Sequence, residues 1–186
     1  MRHNQPSSHV VFGEAQAILA GDGLQALAFE ILSRDELIEP AIRIELLKLL
    51  AISAYEMADG QSIDLSVVLK KVDIELLNNM YKKKTGSLIS CAVTFGALLN
   101  NNIDPKDRNI LDSYSNNIGM AYQIQDDVLD VSSSEVVLGK RQNSDLGMGK
   151  PTYPAIIGLD ESIRAFKELY KKAIDEISGL TVNAKP

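Results

Sequence analysis

The chain has 186 residues, 45% of them hydrophobic and 24% charged, a globular balance with length enough for one domain and its own core. Its net charge of −6 argues against a general nucleic-acid binder, because duplex binding needs a basic surface. Cys91 is the only cysteine, which excludes an intrachain disulfide, and no apolar run reaches the roughly 20 residues of a membrane span. A single cysteine also favours a reducing compartment, and Ile89, Ser90, Ala92 and Val93 around it suggest an inert core thiol. The N-terminus, Met1 to Pro6, is polar and does not read as a signal peptide, so a cytoplasmic protein is expected.

Helical patterning runs through most of the chain. Glu14 to Ser33 repeats Ala, Leu, Ile and Phe at helical spacing, and Ala17, Ala20, Gly21 and Gly23 are expected to allow close helix contact. Pro40 opens a second helix to about Ala58. A break is expected at Asp59-Gly60, with Asp64 capping a third helical stretch. Ile74 to Lys83 is amphipathic, and Thr85 to Asn101 is long and apolar. Between these two, Lys82-Lys83-Lys84-Thr85-Gly86 reads from its charge as a solvated corner. Pro105 starts another helix, and helical patterning returns over Pro151 to Leu159 and Asp160 to Ser178. No alternating strand pattern of useful length occurs, which predicts an all-α bundle.

The helix that begins at Pro105 carries the most informative residues. At 100° per residue, Gln123, Asp126, Asp127 and Asp130 share a sector about 100° wide, in a segment otherwise almost wholly apolar. Two carboxylates about 4 Å apart repel by roughly 4 kcal/mol at an effective dielectric near 20. Such a stripe must protonate or hold a cation, and hard divalent ions such as Mg2+ share oxygen ligands with phosphates. It reads as a metal-diphosphate site. The stretch 132–150 that follows is rich in Ser and Gly, lacks helical periodicity and contains Lys140, Arg141 and Lys150. It is expected to be a mobile loop, either a basic lid over a bound phosphate or a solvated surface loop. Gly139-Lys140 and Gly149-Lys150 lack the spacing of a P-loop. His3 and His9 do not have a metal-ligand spacing, and no zinc or Ser-His-Asp constellation is visible.

Taken in order, several short motifs resemble the short-chain trans-prenyl diphosphate synthases. They are Arg2, Pro6 and His9; Phe12-Gly13-Glu14-Ala15; Ile18 to Asp22; Gly60-Gln61 with Asp64-Leu65; and Lys84-Thr85-Gly86. Tyr122-Gln123 with Asp126, Asp127 and Asp130 follows, then Gly139-Lys140 and Gly149-Lys150 with Thr152-Tyr153-Pro154. The set covers nearly the whole chain and is most similar to the bacterial farnesyl diphosphate synthase branch.

The resemblance implies a prenyl synthase helical bundle around a deep cavity, homodimeric in the family. It implies Mg2+-dependent head-to-tail condensation of isopentenyl diphosphate with an allylic diphosphate, dimethylallyl or geranyl. Asp126, Asp127 and Asp130 match the family's second aspartate-rich motif, with Asp126 as the most direct Mg2+ ligand. Lys84, Lys140 and Lys150 match lysines that hold the allylic diphosphate, and Arg2 matches the first of two diphosphate-binding arginines. Thr85 and Gln123 match polar residues near the reacting carbons, so Lys84, Thr85 and Gln123 are the candidate catalytic residues. The second arginine and the glycine after it are His3 and Asn4 here. The family's first aspartate-rich motif stands immediately before the arginine pair, and this chain starts at Met1-Arg2 without it. The expectation is therefore the C-terminal portion of a prenyltransferase, inactive alone; the alternative is a non-catalytic subunit or remnant acting through helix-mediated dimerisation.

Overall fold

The computed structural model describes residues 5–100, 103–132 and 149–181. Among them every regular element is helical, in the order α1 (Ser8–Phe12), α2 (Glu14–Arg34), α3 (Pro40–Ser66), α4 (Ile74–Tyr81), a π-helical turn (Lys82–Gly86), α5 (Ser87–Leu99), α6 (Pro105–Ser132), α7 (Tyr153–Ile157) and α8 (Leu159–Ile177). The expected all-α bundle is what forms. The long basic loop falls almost wholly on residues outside the described set, as do Arg2 and Lys140.

Local chemistry starts these helices where the sequence marks them. Glu39 caps α3 by accepting the Ala41 and Ile42 amides, with Pro40 at the first helical position. Asp73 accepts the Leu76 amide at 2.8 Å to start α4, and Asp104 does the same for Asp107 ahead of α6. α6 is the central element, packing on α8, α5, α4, α7 and the π turn. Ile124 of α6 is fully buried in a core with Val67, Leu77, Met80, Tyr81 and Tyr153, against which Ile156, Phe166 and Leu169 pack. Each such side chain stabilises the fold by about 1.5–3 kcal/mol. This core lies directly under the site described below. Cys91 is buried beside Ser53; burial pushes its thiol pKa up against an opposing hydrogen bond from Ser53, consistent with an inert core thiol.

Three sequence expectations are corrected. No break occurs at Asp59-Gly60: α3 continues through Gly60 to Ser66, and Asp64 is a buried residue inside it rather than a cap. Gly60 is small because another backbone crosses it. A methyl group there would lie 2.3 Å from the Lys84 amide nitrogen and 2.7 Å from the Lys84 Cα. The lysine run is not a solvated corner either. It forms the π-helical turn joining α4 to α5 with the backbone helical throughout, and Gly86 within it is buried. Packing of both flanking helices on α3 and α6 overrides the charge signal. Finally, Gly21 and Gly23 of α2 have open space beside them among the described residues, so neither makes a close helix contact there, while Ala17 and Ala20 lie beside Ser8 and Phe12 of α1.

These contacts make Gly60→Ala and Gly21→Ala informative partners. Forcing a methyl into the Lys84 backbone should cost about 1–3 kcal/mol, lowering Tm by several degrees. Gly21→Ala, in an open helical position, should leave Tm unchanged or raise it slightly. Calorimetric or circular-dichroism melting checks both, and a wild-type Tm for Gly60→Ala would contradict the close crossing.

Candidate active site

One pocket gathers most of the described candidate residues. Asp64 of α3, Lys84 of the π turn, Gln123, Asp126 and Asp127 of α6, and Lys150 with Pro151 and Thr152 from the segment before α7 line its walls, with Met80 and Tyr81 beneath. Asp64 is the residue that organises the basic side. Its carboxylate is 3% exposed, and its Oδ2 accepts from the Lys84 ammonium at 2.9 Å and the Lys150 ammonium at 3.2 Å. Gln61, one turn before it on α3, adds a weak 3.4 Å contact to the same oxygen. Burial would push the Asp64 carboxyl pKa up, but the hydrogen bonds and charges of Lys84 and then Lys150 outweigh it and hold it below its ordinary value. Asp64 thus stays ionised and keeps two cations at the pocket. Neighbouring Lys83 is not available to that group; it pairs with Asp59 at 2.5 Å.

The π turn explains why Lys84 points here. π-helical turns are rare and cluster at functional sites because they displace side chains from the regular register. On this one, Lys84 reaches Asp64 while the adjacent Thr85 donates to Gln123 Oε1 at 2.8 Å. Thr85 and Gln123, far apart in sequence, therefore form one unit at the pocket edge. Lys150 is placed by the chain before it. Gly149 has a φ of +69°, its carbonyl accepts the Leu69 amide at 2.8 Å, and a methyl on it would lie 2.3 Å from the Leu69 side chain. After it, Thr152 caps α7 through the Ala155 amide.

The acidic stripe divides. Asp126 is partly exposed and faces the pocket. Asp127 is 3% exposed; its Oδ2 accepts the Tyr81 hydroxyl at 2.5 Å and the Tyr153 amide at 2.8 Å. Asp130 is 1% exposed and is not part of the pocket wall. Among the described residues, no three Asp, Glu, His or Cys side chains converge in a manner that would hold a metal alone. The Tyr153 ring stacks on Tyr81 at 6.0 Å between centroids, and its hydroxyl donates to Asn78. Burial raises the Tyr153 pKa, the Asn78 hydrogen bond opposes this, and the Asp127 charge adds to the rise, so the phenol stays a neutral donor. Tyr81 and Asn78 are not among the sequence candidates, and Asp64 is expected there only as a helix cap and a member of the Gly60-Gln61 motif. An acid between Ile63 and Leu65 inside a helix was the available signal for Asp64; Tyr81 and Asn78 look like ordinary helix residues.

With this geometry in hand, comparison with known proteins is direct. The Polyprenyl synthetase family pattern matches residues 1–181. The chain is 41% identical to farnesyl diphosphate synthase of Escherichia coli over 184 residues, covering 97% of this chain and 62% of that protein. It is 42% identical to geranylgeranyl diphosphate synthase of Cyanophora paradoxa, covering 95% and 60% respectively. It thus spans about three-fifths of the length of these relatives. Among solved structures, it is similar to the Helicobacter pylori geranyltransferase complexed with magnesium and isoprenyl diphosphate, with a TM-score of 0.86 at 27% identity over 98% of this chain and 60% of that one. The match of the family pattern over residues 1–181, together with the helical architecture shared with the solved relatives, places the chain in the polyprenyl synthetase family.

Proposed function

We propose that the pocket binds a diphosphate together with Mg2+, as part of a trans-prenyltransferase that condenses isopentenyl diphosphate with an allylic diphosphate. The observation that carries this reading is the convergence of Lys84 and Lys150 on one carboxylate oxygen of Asp64, across from Asp126 in the same pocket. Two ammonium groups give a diphosphate its counter-charge. Asp126 is the carboxylate placed to bind a hard cation, and Mg2+ typically takes only one or two protein carboxylates, filling its octahedron with water and phosphate oxygens. The donor set therefore fits. When bound, Mg2+ supplies neutralisation of charge gathering on a departing diphosphate.

In this reading the chain's own residues do the following. Lys84 and Lys150 bind the allylic diphosphate and stabilise its charge as the carbon–oxygen bond breaks, a preorganised electrostatic clamp. Asp64 orients both ammonium groups without reorganisation. Thr85 and Gln123 present an oriented polar pair beside the reacting carbons. The apolar residues under the pocket, Met80 and Tyr81 with Ile124 behind them, restrict water. Arg2 and Lys140 complete the proposed anion-binding set and Asp130 the acidic motif, on the strength of the family resemblance; Asp127 shares that motif by sequence, while its Oδ2 is engaged by Tyr81 and Tyr153. The relatives' names support the substrate class, and the Helicobacter pylori structure, solved with magnesium and isoprenyl diphosphate, supports the cofactor. Apolar side chains exposed along α1 and α2, among them Phe12, Ile18, Leu19 and Leu24, support helix-mediated association as in a homodimer. Among the described residues no helix is long and apolar enough to cross a membrane.

Two measurements check the proposal. Calorimetric titration of the protein with inorganic diphosphate should show binding that depends on Mg2+. Asp126→Ala should weaken it by about tenfold or more, the scale of one lost charge-assisted contact; unchanged affinity would remove Asp126 from the site. The 186 residues contain a single Asp-Asp pair, Asp126-Asp127. Incubated alone with labelled isopentenyl diphosphate and a geranyl or dimethylallyl co-substrate, they should form no prenyl product above background. Clear Mg2+-dependent product would show that this one acidic motif suffices.

A further inference from the structure

The two lysines that define the pocket are held at their heads by Asp64, and a second carboxylate engages a residue three positions from each of them. Tyr81 lies three residues before Lys84, at the end of α4, and Tyr153 lies three residues after Lys150, at the start of α7. Asp127 Oδ2 accepts from both, the Tyr81 hydroxyl at 2.5 Å and the Tyr153 amide at 2.8 Å. The two rings stack with an interplanar angle of 22°, and the Tyr153 hydroxyl closes the circuit by donating to Asn78 on α4. A carboxylate oxygen has two in-plane lone pairs, and these two donors match them. The network is nearly sealed from water: Asp127 and Tyr81 are each 3% exposed and Tyr153 is 7% exposed.

We propose that Asp127 is a positioning residue of this pocket rather than a metal ligand. It ties the segment carrying Lys84 to the segment carrying Lys150, so that the two ammonium groups meet at Asp64 before any anion arrives. Both acids line the pocket, but their tasks differ: Asp126 is the more exposed, and Asp127, buried, fixes the frame through Tyr81 and Tyr153. The inference rests on the diphosphate reading of the pocket only for its effect on binding; the frame itself is a property of the unliganded protein. It also separates charge from hydrogen bonding. A metal ligand needs the negative charge of Asp127, whereas the frame needs only an acceptor oxygen in that place, which an asparagine can supply.

Asp127→Asn, Asp127→Ala, Asp126→Asn and Tyr81→Phe test this in the full 186-residue protein. Two readings are taken on each: calorimetric affinity for inorganic diphosphate with Mg2+, and hydrogen exchange of the Tyr153 amide by NMR. Losing an outer-shell partner typically weakens a site by about 10–100-fold. Asp127→Ala should fall in that range and lose Tyr153 protection, while Asp127→Asn should stay within about threefold of wild type and keep it. Asp126→Asn should lose binding with Tyr153 protection intact. Tyr81→Phe, which removes one donor and leaves the core shape, should weaken binding less than Asp127→Ala and serves if that variant does not fold. The proposal is overturned if Asp127→Asn binds as poorly as Asp126→Asn, or if Tyr153 exchange is the same in wild type, Asp127→Ala and Tyr81→Phe. Should wild type bind no diphosphate, the functional reading fails, and the exchange data alone uphold or reject the frame.

Discussion

A buried carboxylate with two ammonium partners constrains everything around it. Asp64 sits at 3% exposure inside α3, and its ionised form is stabilised because Lys84 and Lys150 both reach it. Leaving the Asp64 carboxylate with no cation would bury an uncompensated charge, commonly at a cost of about 3–5 kcal/mol. In this structure the surrounding backbone delivers two cations to it, Lys84 and Lys150. The π turn brings Lys84 across Gly60, and the Gly149–Leu69 hydrogen bond holds the segment that brings Lys150.

Close approach is what makes that delivery possible. At Gly60 the backbones of α3 and the π turn meet at a distance no side chain would allow. The core of Leu77, Met80, Tyr81, Ile124 and Tyr153 then locks α4, α6 and α7 together beneath the pocket. Hydrogen bonds link the same elements above it, with Thr85 on Gln123 and Asp127 on Tyr81 and Tyr153. Apolar packing and polar pairing thus fix the same geometry, and a site of this kind needs both. Packing alone would leave the lysine heads free to rotate, and ion pairs alone contribute too little when partly exposed.

The acidic stripe shows how far a helical wheel carries the reasoning. Its geometry placed Gln123, Asp126, Asp127 and Asp130 on one side of α6, and they are there. A wheel treats the members of a stripe alike, however, and tertiary contacts do not. Asp126 faces the pocket, Asp127 is engaged by two tyrosines, and Asp130 is buried away from the pocket wall. Which acid meets a ligand depends on the neighbours that each one acquires from α4 and α7.

What the sequence determined by itself was the helical class, most helix starts, the acidic helix and the family. These follow from short-range chemistry: apolar periodicity, Pro40 and Pro105 at helix starts, and motifs whose order along the chain is itself informative. Only the tertiary structure decided that α3 runs unbroken through Gly60, that the Lys82–Gly86 run is a π turn inside the bundle, and that Asp64 unites Lys84 with Lys150. Glycine and lysine are ambiguous locally, since a helix stop and a helix crossing both favour glycine, and a solvated corner and an anion site both favour lysine. The ambiguity ends only when a second backbone or a buried carboxylate from elsewhere in the chain arrives beside them.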